Sequence, residues 1–345
     1  MAYTTVNKGS LHFNTKLYSG TGASNAITGV GFQPDWSWIC KRDSVTDRFL
    51  FNVISGATKY VASNATSAEA TNAETLKSFD SDGFTVGTNG TVNVSGGSIQ
   101  SWNWKFGGSP SSNTDGSVTS TVSANTTAKM SIVKYTNPSS GSPFTVGHGI
   151  GAPPKLIIVK NISASQTWGV YHASLGFGKY LRIDSTAGEA AANLVTATSN
   201  TTFSTYYDHH TAGNELIAYC FADCPGFFKA GVYRGNAVNG GQTAPFINTG
   251  FKPSIVFVKT NSTAGAWLVC DNKRSTVNGF NIINDGTEIN NTSIEQSADF
   301  MDFYSNGFKI QTSNVKLNNN NTDQYWWAFG EAPLVGTNNI PATAR

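Results

Sequence analysis

The stretch Gly31-Phe32-Gln33-Pro34-Asp35-Trp36-Ser37-Trp38-Ile39-Cys40-Lys41 decides how the whole chain is read, because its grammar returns twice. It recurs as Gly151-Ala152-Pro153-Pro154 running into Leu156-Ile157-Ile158-Val159-Lys160, and as Gly250-Phe251-Lys252-Pro253 running into Ile255-Val256-Phe257-Val258-Lys259. A turn made by Gly and Pro, then a short β-branched or aromatic run closed by a polar residue, reads as entry into a buried strand. Three copies imply three related modules.

Landmarks on either side repeat at matched distances. Phe13 with Tyr18 and Gly20 corresponds to Phe228 with Tyr233 and Gly235, and more loosely to Met130 with Tyr135 and Asn137, giving each module an opening strand. Tyr60 and Tyr180 lie 26 residues after Pro34 and Pro154, and Phe280 lies 27 after Pro253. In between, Arg48-Phe49-Leu50-Phe51, Trp168-Gly169-Val170-Tyr171 and Trp267-Leu268-Val269-Cys270 each begin 14 residues after the proline. Spacing held this closely argues for a shared topology. Asp82-Gly83 and Asn306-Gly307 signal late hairpins in the first and third copies. The middle copy has Tyr206-Tyr207-Asp208-His209-His210 at that point, so its loop should be built differently. Each copy closes on an apolar strand ending Trp102-Asn103-Trp104-Lys105-Phe106, Ile217-Ala218-Tyr219-Cys220-Phe221 or Tyr325-Trp326-Trp327-Ala328-Phe329. Strand alternation puts Trp102, Trp104 and Phe106 on one face, and Tyr325, Trp327 and Phe329 likewise.

Charged residues make up 13% of the 345, against roughly 25% in an average soluble domain. Asn, Ser, Thr and 35 Gly take their place, a mixture suited to β-sandwiches with many turns. The expected organisation is all-β, with three tandem sandwich modules over 13–108, 128–225 and 226–333. Residues 1–12 read as an arm that docks on a neighbouring subunit, 109–127 as a flexible linker of Gly, Ser, Thr and Asn, and 334–345 as a polar tail. With almost no spacer between the second and third modules, these should form a rigid pair and the first should be hinged.

A net charge of +2 and the lack of any Lys/Arg run argue against nucleic acid as a partner. No apolar stretch approaches the ~20 residues of a membrane span, and the first residues lack the apolar core of a signal peptide, so no membrane insertion and synthesis in a cytoplasm are expected. Cys220 and Cys224 with His209 and His210 resemble a zinc set only in composition, since Cys220 sits within an apolar run where a buried thiol is the plainer reading. Asp80 and Asp82 could pair as glycosidase carboxylates, but they flank a turn that Asp favours for its own backbone bonding. No phosphate loop, dinucleotide fingerprint or ordered Ser/His/Asp set is present, so no cofactor, metal or catalytic residue is expected. Most of the aromatics lie at alternating strand positions, where core filling explains them. The exception is Tyr206, Tyr207, Asp208, His209 and His210, a loop mixing aromatic and polar groups and the candidate ligand-binding tip.

Taken together, the opening Phe with Leu-Tyr and Gly, then Gly31-Phe32-Gln33-Pro34-Asp35-Trp36, Lys59-Tyr60-Val61 or Lys179-Tyr180-Leu181-Arg182, Asp82-Gly83-Phe84 and a closing Trp104-Lys105-Phe106-Gly107 resemble repeat modules in virion structural proteins of marine tailed bacteriophages, especially those of cyanobacteria. The resemblance spans all three modules. It departs at Cys40, where the other copies carry Lys160 and Lys259, and at the missing middle hairpin. It implies concanavalin-like or jelly-roll sandwiches in a non-enzymatic virion protein made in the host cytoplasm. The implied role is a fibre or adhesin for host attachment; alternatives are a capsid or tail decoration protein, and a polysaccharide depolymerase. The implied partners are other virion proteins held through the arm, further copies of the chain in a homo-oligomer, and a host surface glycan.

Overall fold

The most apolar strands of the sequence are flanked by other strands on both edges and covered on both faces, and the architecture follows from that. In a computed structural model, residues 4–138, 143–206, 211–262, 265–274 and 282–333 are described, and the protein is all-β apart from a 3-10 turn at Gly9–Leu11 and the one-turn helices Gly90–Asn93 and Val315–Asn318. Three antiparallel sheets share one central order: opening strand, closing strand, Gly/Pro strand, next strand. These are Phe13–Ser19, Ser98–Trp104, Trp36–Lys41 and Arg48–Asn52 in the first. Met130–Thr136, Glu215–Phe221, Leu156–Asn161 and Gly169–His172 form the second, and Phe228–Arg234, Asp323–Pro333, Phe251–Thr260 and Trp267–Asp271 the third. Register is equivalent as well: Trp104 pairs with Phe13 and Trp36, Phe221 with Met130 and Leu156, and Phe329 with Phe228 and Ile255.

One face of each sheet covers a private apolar layer. Ile39, Phe49, Phe51, Phe84 and Ile99 fill the first, beneath the small sheet Asn25–Thr28, Gly83–Val86 and Leu76–Asp80. Val133, Ile157, Val159 and Phe203 fill the second, beneath Phe144–Gly147, Thr202–Thr205 and Ala197–Thr198. In the third, the covering strands run on from the main sheet through Ile282–Glu288 and Gln296–Tyr304, so eight strands curl into one near-closed sheet. The opposite faces of all three sheets meet in a single central cluster. As alternation requires, Trp102, Trp104 and Phe106 all lie in it, with Tyr325, Trp327 and Phe329. Trp36 stacks on Tyr219 at 4.4 Å, Trp38 meets Phe257 at 5.9 Å, and Phe221 meets Phe329 at 5.4 Å between centroids. A strand buried on both faces loses the in/out alternation of a half-exposed one and reads as a continuous apolar run.

The first segment is therefore not hinged, because it supplies a third of a core that none of the segments completes alone. Nor is 109–127 a flexible linker. Ser111–Asn113 and Ser120–Asn125 extend the second sheet, with Val122 paired to Val133 and Ser120 Oγ donating to the Gly147 carbonyl at 2.8 Å. An outer strand draws its bonding from the main chain and needs only occasional apolar anchors, here Val122, so Ser and Thr serve in it as well as in a linker. The described part of the expected arm also folds back. Val6 is 2% exposed in the central cluster and Thr5 Oγ1 donates to the Thr127 carbonyl at 2.9 Å. Next to it the other end of the described chain arrives: a Cβ on Gly226 would fall 2.6 Å from Pro333 Cβ and 3.0 Å from Thr4 Oγ1.

The contacts between segments run in one direction around a closed cycle. The indole N–H of Trp168 donates to the Ala62 carbonyl at 2.9 Å, that of Trp267 to the Arg182 carbonyl at 2.7 Å, and at the equivalent third position Arg48 Nε donates to the Glu288 carbonyl at 3.3 Å. Lys160 Nζ donates to the Thr66 and Gln166 carbonyls at 2.7 and 2.6 Å, and Lys259 Nζ to those of Thr186 and Gly265. Burial pushes the Lys160 amine down to about 8 and that of Lys259 down to about 7. The third seam has Cys40 where a lysine is due, and the Arg48 guanidinium does both jobs, with Nη1 on the Thr46 carbonyl at 3.2 Å and Nη2 on that of Ser293.

Candidate functional site

With the inner faces closed in the shared cluster, only the outer ones are open to a ligand. On the third sheet the register sets Ile282 beside Asp302, Asp302 beside Lys309, and Lys309 beside Phe246, in one row across four strands. Their neighbours Met301, Phe303, Phe308 and Ile310 point inward to the private core, which is what forces this polar and aromatic row outward. Phe246 remains 47% exposed, and its ring meets that of Tyr304 edge-on at 5.9 Å. Tyr304 is placed by the Asn306-Gly307 hairpin. Glycine is required there because a Cβ at position 307 would sit 2.0 Å from the Ile247 carbonyl oxygen, just as one at Gly83 would sit 1.9 Å from that of Ile27.

Beside this pair lies a cleft of about 370 Å³ lined by Asn239, Gly240, Ile282, Asp299, Asp302 and Gln311. Asp302 is its organising group. Its Oδ2 accepts from the Tyr304 hydroxyl at 3.1 Å and from Gln311 Nε2, while Oδ1 is shielded from solvent and has no hydrogen-bond partner. Burial, and then the Asp302 charge, raise the Tyr304 phenol above its ordinary range, so it stays a neutral donor. Gly240 has a φ of +66°, and a Cβ there would meet Gln311 Oε1 at 2.9 Å, so the bare backbone is what lets Gln311 lie against the cleft wall. Exposed aromatic edges with carboxylate and amide groups beside them suit a polyhydroxylated ligand, whose C–H faces pack on rings while its hydroxyls bond to the polar groups.

A second depression, of about 280 Å³, lies where the chain passes from the second to the third segment, lined by Asp223, Cys224, Phe228, Lys229, Thr249 and Phe251 among others. It abuts the N-terminal residues through the contact of Thr5 Oγ1 with Cys224 Sγ at 3.9 Å. Lys229 is already engaged there, donating to the Asn248 carbonyl at 2.9 Å.

Of the predicted tip, Tyr206 is half-buried just beyond the strand Thr202–Thr205, and Tyr207, Asp208, His209 and His210 lie outside the described residues. The segment does not replace the hairpin. Ser199-Asn200-Thr201 makes that turn, with Ser199 Oγ accepting from the Thr202 amide at 2.9 Å. Tyr206 to His210 instead follow the hairpin, in the connection where the other two segments carry their helical turns, capped by Asn89 and Asn314. Asp82 accepts from the amides of Gly29 and Gly31 at 2.9 and 2.6 Å, which hold its carboxyl below the usual range, and Asp80 accepts from Ser78 and Thr85. Both carboxylates are thus occupied in shaping one turn. Cys220 and Cys224 fall in different cores, the second private layer and the central cluster.

The cleft escaped sequence reading because its lining comes from three separated stretches, 239–240, 282–302 and 311. One signal was present: in Phe300-Met301-Asp302-Phe303-Tyr304, alternation turns Asp302 and Tyr304 away from the side that takes Met301 and Phe303. No curated protein and no solved structure matches this chain. A family model does, over residues 8–333, and the chain belongs to that family, a domain of unknown function designated DUF7483.

Proposed function

We propose that this chain is a non-enzymatic structural protein of a bacteriophage virion, built of three tandem β-sandwich modules of concanavalin-like or jelly-roll type, and that it serves as a fibre or adhesin in host attachment. The resemblance of its repeats to virion proteins of marine tailed phages supports the setting. The observation that carries the adhesive role is the outer face of the third segment, where Phe246 and Tyr304 flank a cleft of carboxylates and amides. The ligand on this reading is a host surface glycan, bound weakly at each site and multiplied by the copies on a particle. Its partners are further copies of the chain and other virion proteins. Of the described residues of 1–12, Thr4, Val6 and Gly9 are buried against the chain's own body, so contacts with other virion proteins through the arm use its exposed side chains, such as Leu11.

The test is sedimentation of the purified protein with host cells and with isolated envelope polysaccharide. Binding that Phe246→Ala weakens about tenfold supports the adhesin, since one exposed aromatic contact is worth roughly 1–2 kcal/mol. Binding to neither sinks it. Gel filtration of the same polysaccharide after incubation separates an adhesin, which leaves its length unchanged, from a depolymerase, which shortens it.

The closed cycle of seams favours a second role, a decoration protein. A single chain that imitates a cyclic trimer suits the threefold positions of a capsid, where it would clamp neighbouring subunits. Antibody labelling of intact particles distinguishes the two: signal over the head selects decoration, and signal at the tail or fibres selects attachment.

A further inference from the structure

We infer that the cleft of the third segment selects its glycan by charge, taking neutral and amino sugars and rejecting uronic, sialic and phosphorylated ones. The inference rests on the reading of this face as a glycan site and names the class of glycan. Among the described residues its lining holds two carboxylates, Asp299 and Asp302, two amides, Asn239 and Gln311, the backbone of Gly240, one apolar side chain, Ile282, and no cation.

The Asp302 charge is only half compensated. Donors reach Oδ2, and none reaches Oδ1. Because Oδ1 is shielded from water, it acts on a bound sugar through its field across the cleft wall, where the low local dielectric strengthens it, and not by direct contact. Asp299 is exposed and free to accept from a hydroxyl or an ammonium.

The cations nearby do not cancel this. Lys309, across the strand from Asp302, offsets part of that carboxylate's field, but it makes no ion pair with it and does not line the cleft, so Asp299 stays unmatched. Lys316 is held by Glu288 and by Gln296. An anionic sugar would therefore meet uncompensated like charge, whereas a protonated amino sugar would supply the missing positive one. Neutral sugars fall between.

Calorimetric titration of the full chain tests this with three oligosaccharides of similar length: chitosan, neutral mannan and polygalacturonate, at mildly acidic pH and low salt. The expected order is chitosan, then mannan about tenfold weaker, then polygalacturonate without measurable binding, the step being that of a charge-assisted contact. Asp302→Asn should bring chitosan and mannan to nearly equal affinity, and raised salt should narrow the wild-type gap in the same way. Asp299→Asn, at an exposed position where refolding is not at issue, should reduce the same ratio. If polygalacturonate binds as well as mannan, or if both variants keep the wild-type ratio, charge selection is wrong although the face still binds glycans. If none of the three binds, the glycan reading fails and this inference fails with it.

Discussion

Arg48 shows how much one residue can carry. Its equivalents, Trp168 and Trp267, use an indole N–H to reach the neighbouring segment and leave a separate lysine to bind the adjoining loop. On the third seam one guanidinium makes both sets of bonds, which is possible because it offers five donors in a fixed fork where an ammonium offers three at a point. Around it Arg274 pairs with Asp271 at 2.6 Å and with Glu295 at 3.0 Å, Arg42 pairs with Glu295, and the Trp102 indole donates to Asp271 at 2.9 Å. The seam is thus polar and buried, its guanidinium donors engaged although Thr46 Oγ1 and Gln100 Oε1 lack partners, and removing one member of such a network is costly. Arg48→Met should lower the free energy of unfolding by about 3 kcal/mol, since it strips donors from buried carbonyls. Urea denaturation measures it, and a loss below about 0.5 kcal/mol would mean that the seam holds without the guanidinium. The sequence displayed the exchange of Cys40 for lysine plainly, but not its compensation, because Arg48 is eight residues away and meets the same loop only through the fold.

Among the elements, those with an apolar signature were legible and those made by the main chain were not. The Gly/Pro and closing strands announce themselves because both faces need apolar side chains, and alternation even sorts Trp102 and Trp104 correctly. Ser120–Asn125 gives no such signal, since its place is fixed by six register pairs to Met130–Thr136 and, of its buried side chains, Ser120 and Ser123 are polar and only Val122 is apolar. The Ser199 turn was missed for a related reason: a hydroxyl accepting from two amides closes the hairpin without glycine. A strand held this way has a clear experimental mark. Amides between residues 120 and 125 should exchange with deuterium on the timescale of the paired strand Met130–Thr136, at least a hundredfold more slowly than a free linker. Free-linker rates there would return the segment to its role as a tether. The candidate cleft was illegible for a different reason, in that its carboxylates and amides are unremarkable one at a time and gain meaning only from the cross-strand row that brings them together.

In the whole molecule, the repeat seen in the sequence is real as spacing, register and sheet order, but it does not produce three independent bodies. Trp36 packs on Tyr219, Trp38 on Phe257 and Phe221 on Phe329, so withdrawing any segment would expose the aromatic faces of the other two. Unfolding should accordingly be one event. Differential scanning calorimetry should show a single transition with calorimetric and van't Hoff enthalpies agreeing, whereas a hinged first module would melt on its own. A separate early peak, lost when residues 1–108 are removed, would overturn the shared core.

The meeting of Thr4 and Pro333 at Gly226 has a consequence for how such a molecule is carried. Thr4 and Pro333, the bounds of the described residues, thus lie at one corner, only a few ångströms apart. A protein whose described ends meet in this way can be inserted into a loop of another chain with little strain on its core. Joining the ends through a short bridge and reopening the chain in a surface turn should likewise leave all three seams in place.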